Sequence, residues 1–123
     1  MKKNNLPFEV TEEYYRSLEN SALELAEAEY QLSLMTDGVD ILEKSLMYKA
    51  DLDFKNATES NKALSVELQR REAKRSAEYA QAVRAKAAAK RAQSLAKSRR
   101  FDLEKRFDEW RTRSADKRSP GRF

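Results

Sequence analysis

The chain has 123 residues, 37% of them charged, a formal net charge of +4, 2 Gly, 2 Pro, and neither Cys nor His. Without Cys there is no disulfide framework, thiolate metal site or thiol nucleophile, and without His the usual general base and the commonest metal ligand are missing. Two glycines cannot build a phosphate-cradling loop, so the chain reads as non-enzymatic, with no cofactor and no metal. Ala, Glu, Lys, Arg, Leu and Gln dominate, the residues that lose least on entering a helix. The expected fold is all-α: a long antiparallel helical hairpin or coiled coil with a thin core.

Residues 1–9 read as an N-terminal tail. Lys2 and Lys3 mimic the start of a signal peptide, but no apolar run of the needed length follows. No stretch approaches the 18 apolar residues of a membrane span. The expectation is a cytoplasmic protein with no membrane partner.

Residues 10–55 form an acidic arm. Thr11, followed by Glu12 and Glu13, offers an N-cap and first-turn acids that suit the helix dipole. Leu18, Leu25, Leu32, Val39 and Leu46 recur every seven residues, with Tyr14, Ser21, Ala28, Met35 and Leu42 four before each. This a/d seam lasts about five heptads and predicts a core face against a partner helix. Leu18, Leu25, Leu32, Met35, Val39, Leu42 and Leu46 are the expected oligomer seam, because so long and thin a hairpin can hardly shield its heptad face alone. The register runs unshifted through Thr36-Asp37-Gly38, so Gly38 reads as a weak spot within the helix, costing about 1 kcal/mol against Ala. Asp37-x-x-Asp40 and Asp51-x-Asp53 pair carboxylates, but the spacing of a calcium-binding loop is absent.

The cluster at residues 56–61 reads as a turn, with a fresh N-cap at Thr58 or Ser60. A basic arm follows over residues 62–118. The two halves differ sharply in charge: residues 1–60 hold 6 Lys/Arg against 13 Asp/Glu, and residues 61–123 hold 19 against 8, giving −7 and +11. Internal neutralisation therefore leaves basic surface over for an anionic partner. Val66, Ala73, Ala80 and Ala87 sit seven apart, with Ala77 and Ala92 filling in, and read as the seam of this arm. Nine alanines fall within Ala77–Ala96. An alanine face argues against insertion at a membrane surface.

Arg70, Arg71, Lys74, Arg75, Arg84, Lys86, Lys90, Arg91, Lys97, Arg99 and Arg100 are the expected phosphate contacts, because so dense a positive charge on a thin rod suits a polyanion and Arg forks fit phosphate. Phe101, Leu103, Phe107 and Trp110 then bring large apolar groups among further cations, including Arg111 and Arg113. Aromatics interleaved with cations suit single-stranded nucleic acid, where bases stack and phosphates meet charges. Trp110 is the stacking candidate, whereas Leu103 and Phe107 read as closing the hairpin onto Tyr14, Tyr15 and Leu18. Residues 119–123, with Pro120 and Gly121, read as a frayed tail.

The order of acidic heptad arm, Ala- and Arg-rich arm and aromatic-basic close resembles short all-helical phage proteins. The segments Ala22-Leu23-Glu24-Leu25-Ala26-Glu27-Ala28-Glu29-Tyr30 and Phe107-Asp108-Glu109-Trp110-Arg111-Thr112-Arg113-Ser114-Ala115 carry the likeness. Among such proteins the chain is similar to the UvsY family of recombination mediators from T-even-type phages. That resemblance implies an oligomeric accessory protein in the host cytoplasm that binds single-stranded DNA and helps to load a RecA-like recombinase. A structural coiled coil, such as a scaffold or virion component whose basic arm pairs with acidic arms or an acidic protein, is the alternative.

Overall fold

The computed structural model describes residues 11–118; the tails expected at 1–9 and 119–123 lie outside them. The fold is all-helical. Three helices, α1 (Glu12–Thr58), α2 (Val66–Lys74) and α3 (Ala77–Arg118), take 47, 9 and 42 residues, and no strand occurs among the described residues. By its internal contacts the chain divides into one unit of residues 1–28 with 93–123 and another of residues 29–92.

Thr11 starts α1 as the sequence predicts. Its Oγ1 accepts the Tyr14 N–H at 3.2 Å and Glu12 and Glu13 occupy the first turn. The helix passes through Gly38 without a break. It ends three residues later than expected, at Thr58, and Glu59 takes the left-handed conformation with φ 50°. The Ser60 N–H then reaches back to the Lys55 carbonyl at 3.2 Å, the wrapped helix end that usually uses glycine at the left-handed position.

In the first unit the start of α1 runs antiparallel to the end of α3. Tyr14, buried, donates its hydroxyl to the Leu103 carbonyl at 3.0 Å and stacks on Phe107 with ring centroids 6.0 Å apart and planes 13° apart. Glu24 pairs with Arg99. Leu103 and Phe107 thus close onto Tyr14, as the aromatic pattern predicts. Tyr15 meets the same cluster edge-on at 5.7 Å. Ser21 is buried at a seam position and is satisfied within its own helix, donating to the Leu18 carbonyl at 2.7 Å.

In the second unit the α1 stripe continues inward, with Val39 buried and Leu32, Met35, Leu42 and Leu46 half-buried. Along the whole helix the seam positions are those withdrawn from solvent within a single chain. The core is thin: Tyr14, Ser21, Ala28, Val39, Ala73 and Ala96 are the buried residues among those described.

The basic half departs from the expectation in two ways. It is not one arm from residue 62: an irregular link over 59–65 precedes α2, and the chain breaks again at Arg75–Ser76. Ser65, not Thr58 or Ser60, caps α2, its Oγ accepting the Leu68 N–H at 3.3 Å. Ser76 caps α3, accepting from the Glu78 N–H at 3.2 Å. The seam also lies elsewhere. Of the expected residues only Ala73 is buried, while Val66, Ala77, Ala80, Ala87 and Ala92 are exposed. A line of inward positions in α3 runs through Tyr79, Ala82, Lys86, Ala89, Gln93, Ala96, Arg100, Leu103, Phe107 and Trp110, alternating by three and four, with Ala85 and Ser114 also half-buried. With alanine on nearly every face, the hydrophobic pattern of this helix does not single out one side.

Candidate nucleic-acid interface

Near its end the link before α2 is held at Leu64. Its N–H donates to Asp51 Oδ1 of α1 at 2.8 Å, and its carbonyl accepts from Gln69 Nε2 of α2 at 2.7 Å. Lys55 completes the clamp, 3.1 Å from the other carboxylate oxygen of Asp51. The Leu64 N–H first, and then Lys55, hold the Asp51 carboxyl below the usual carboxylate value. Both carboxylate oxygens of Asp51 are thus engaged within the fold. Among the described residues no group of three or more acidic side chains converges to hold a metal ion.

This anchoring turns the cationic side of α2 outward. Arg70, Arg71, Lys74 and Arg75 are exposed and, with Val66 and Glu67, line an open concavity of about 810 Å³. Arg75 pairs with Glu72 at 3.1 Å. Arg70, Arg71 and Lys74 have no carboxylate within 4.0 Å among the described residues.

The expected contacts on α3 separate by where the seam falls. Arg84 and Arg91 lie seven apart on the face away from the seam, and Lys90 and Lys97 lie beside it; all four are exposed without an ion-pair partner among the described residues. Lys86 is half-buried at a seam position. Arg100 is likewise half-buried, its Nε 3.1 Å from Glu104, and Arg99 is engaged with Glu24. These three are turned toward the protein's own structure. Arg111 and Arg113 are exposed, as are Lys105 and Arg106. Trp110 is half-buried, its ring 5.9 Å from Phe107 and tilted by 31°.

Beside the caps Ser65 and Ser76, the residues that set this surface are Asp51 and Gln69. Ser76 followed two residues later by Glu78 is a readable N-terminus signal; the Asp51–Leu64 clamp, spanning 13 residues, has none. No helix among the described residues is long and apolar enough to cross a membrane. No protein-family model, curated protein or solved structure matches this chain.

Proposed function

We propose that this protein is a non-catalytic nucleic-acid-binding accessory factor, with single-stranded DNA the favoured ligand, built as an antiparallel helical hairpin or coiled coil and working as a cytoplasmic homo-oligomer. The observation that carries this reading is the run Tyr79–Phe101, which holds seven Lys/Arg and no Asp/Glu. Its outward members, Arg84, Lys90, Arg91 and Lys97, lack carboxylate partners. A helix that presents unpaired cations binds polyphosphate by releasing condensed counterions, which needs no base reading and gives sequence-independent affinity. Arg70, Arg71 and Lys74 on α2 offer the same chemistry. The resemblance to UvsY-type mediators supplies the setting, the loading of a RecA-like recombinase in phage recombination.

The test is titration of a labelled single-stranded oligonucleotide at several salt concentrations, read by anisotropy. Log affinity is expected to fall linearly with log salt, by about 0.7 per phosphate contact. Reversing Arg84 and Arg91 to Glu is expected to lower that slope by at least about 1. Absence of affinity at low salt overturns the reading. Quenching of Trp110 assigns it to base stacking; binding without quenching leaves it to the Phe107 cluster.

One observation favours the structural alternative. Among the described residues Arg99–Glu24 is the single ion pair joining the acidic and basic halves, so both charges remain available to neighbouring molecules. An oligomer held by acidic–basic pairing dissolves in high salt, whereas one held by apolar contact survives.

A further inference from the structure

The face of α1 opposite its seam carries an exposed apolar stripe. Within the second unit Tyr30, Leu34, Ile41 and Tyr48 follow one another at spacings of four and seven, and are 58%, 46%, 68% and 66% exposed. At 3.6 residues per turn they form one stripe on the side away from Leu32, Val39 and Leu46. Ser33 and Ser45, small and exposed, border it. Two charges of opposite sign, Asp37 and Lys44, lie in the stripe, exposed and without an ion-pair partner.

The stripe's tyrosine pair and its charge pair are each centred close to the same point. Tyr30 and Tyr48 are equidistant from residue 39, and Asp37 and Lys44 from a point between residues 40 and 41. The two centres differ by about 2 Å of helix rise. We infer that the stripe is a self-association face: two copies pack their α1 helices antiparallel across a two-fold axis near Val39–Ile41. Tyrosines gather at both ends, and Asp37 of each copy faces Lys44 of the other. A two-fold contact must be self-complementary, and opposite charges at mirrored positions provide that. A different protein partner has no need of such symmetry. The seam expected to hold an oligomer is withdrawn from solvent within one chain, so this second stripe is the apolar face left to a neighbour.

Size and charge fix the strength. The four side chains expose on the order of 500 Å² per copy, about 1,000 Å² for a pair, at the lower edge of specific interfaces. Asp40, exposed beside the axis, opposes its own copy. The dimer is therefore weak and concentration-dependent, and Asp40→Asn tightens it about twofold.

Sedimentation velocity of the full chain from about 5 to about 500 µM tests this. The expected result is a rise from monomer to dimer mass, with Ile41→Glu monomeric throughout. Asp37→Lys weakens the dimer several-fold, and adding Lys44→Asp restores it. The charge-swap pair sits wholly on exposed positions, so it remains informative should Ile41→Glu lower the helix content read by circular dichroism. A monomer across the whole range, a dimer that survives Ile41→Glu, or a double variant that fails to recover overturns the proposal. Oligonucleotide affinity is read separately, so failure of either proposal is distinguishable from failure of the other.

Discussion

Tyr14 joins the start of α1 to the end of α3 through two contacts of different kinds, which substitutions can take apart. Its residue is 5% exposed, its hydroxyl donates to the Leu103 carbonyl, and its ring stacks on Phe107 and meets Tyr15 edge-on. Tyr14→Phe keeps the ring and deletes one hydrogen bond. The Leu103 carbonyl still has its place in the α3 ladder, so no acceptor is orphaned, and the cost is about 0.5–1 kcal/mol. Tyr14→Ala removes the ring as well, leaving a void beside Phe107, and costs about 3–5 kcal/mol. That is a large share of the stability of a small domain. Tyr15→Phe, at an exposed ring, is the neutral control. Urea unfolding followed by Trp110 fluorescence is the assay, because Trp110 packs on the same Phe107 that Tyr14 covers. Alkaline pH adds a second reading. Burial first, then Glu104, Tyr15 and Asp108, push the Tyr14 hydroxyl above its usual value of 10.0. The folded chain therefore holds this proton more tightly, so the contribution is intact below pH 10 and is lost as pH rises through the raised value. Tyr14→Phe is expected to blunt that alkaline loss. A Tyr14→Ala cost under about 1 kcal/mol, or equal costs for Phe and Ala, would refute the assignment of ring packing as the main contact.

Three further substitutions test the local structure. Gly38→Ala is expected to stabilise by about 0.4–1 kcal/mol in thermal unfolding, since an added Cβ meets nothing within 4 Å and the glycine lies inside a helix. Glu59→Gly is expected to raise stability by about 1 kcal/mol, because φ 50° costs a side chain what it does not cost glycine; no rise in midpoint would place the strain elsewhere. Asp51→Ala is expected to destabilise near neutral pH and to flatten the acid limb. The folded-state value lies below 3.8, so the native contribution is present above that pH and fades as pH falls through the lowered value. Hydrogen exchange at the Leu64 amide, faster in Asp51→Ala than in the parent, locates the effect at the clamp.

The two long helices differ in how plainly they declare their inner face. In α1 large apolar residues alternate with Tyr14, Ser21 and Ala28 at seven-residue spacing, so the buried stripe stands out against a charged background. In α3 alanine occupies inward and outward positions alike, and a polar set, Lys86, Gln93 and Arg100, fills one line of the seam. The register becomes visible only from the end: Leu103, Phe107 and Trp110 stand four and three apart, and stepping back from them by threes and fours reaches Tyr79. The expected phosphate contacts inherit that ambiguity. Without the seam, Lys86 and Arg100 are indistinguishable from Arg84 and Arg91; with it, the first pair turns inward and the second outward. The break after α1 overlaps the turn expected at 56–61, whereas its extension to residue 65 and the second break at 75–76 carry no such turn signal. Good helix formers surround the second break, and the bond that fixes the end of the first link, from the Leu64 N–H to Asp51, joins residues 13 apart that only folding brings together.

The charge asymmetry carries opposite consequences for stability depending on where the charges go. Had the −7 and +11 halves been knitted together, salt would screen attraction and destabilise the fold. The described residues show one such cross-link, Arg99–Glu24, and an exposed pair contributes at most about 1 kcal/mol. Against it stands the run Tyr79–Phe101, whose seven cations have no acid among them and repel along one helix. Like charges one helical turn apart cost a few tenths of a kcal/mol each, and screening relieves them. Within the run only Lys86–Lys90 and Lys97–Arg100 stand one turn apart, so the repulsion that salt relieves is about as large as the attraction it screens. Thermal stability is therefore expected to stay within about 1 kcal/mol between about 0.05 and 0.5 M NaCl, a range that brings the screening length below 10 Å. Oligonucleotide affinity is expected to collapse over the same range. A midpoint that falls steeply with salt would show instead that the acidic arm is the ligand of the basic one, and would leave few cations free for any other polyanion.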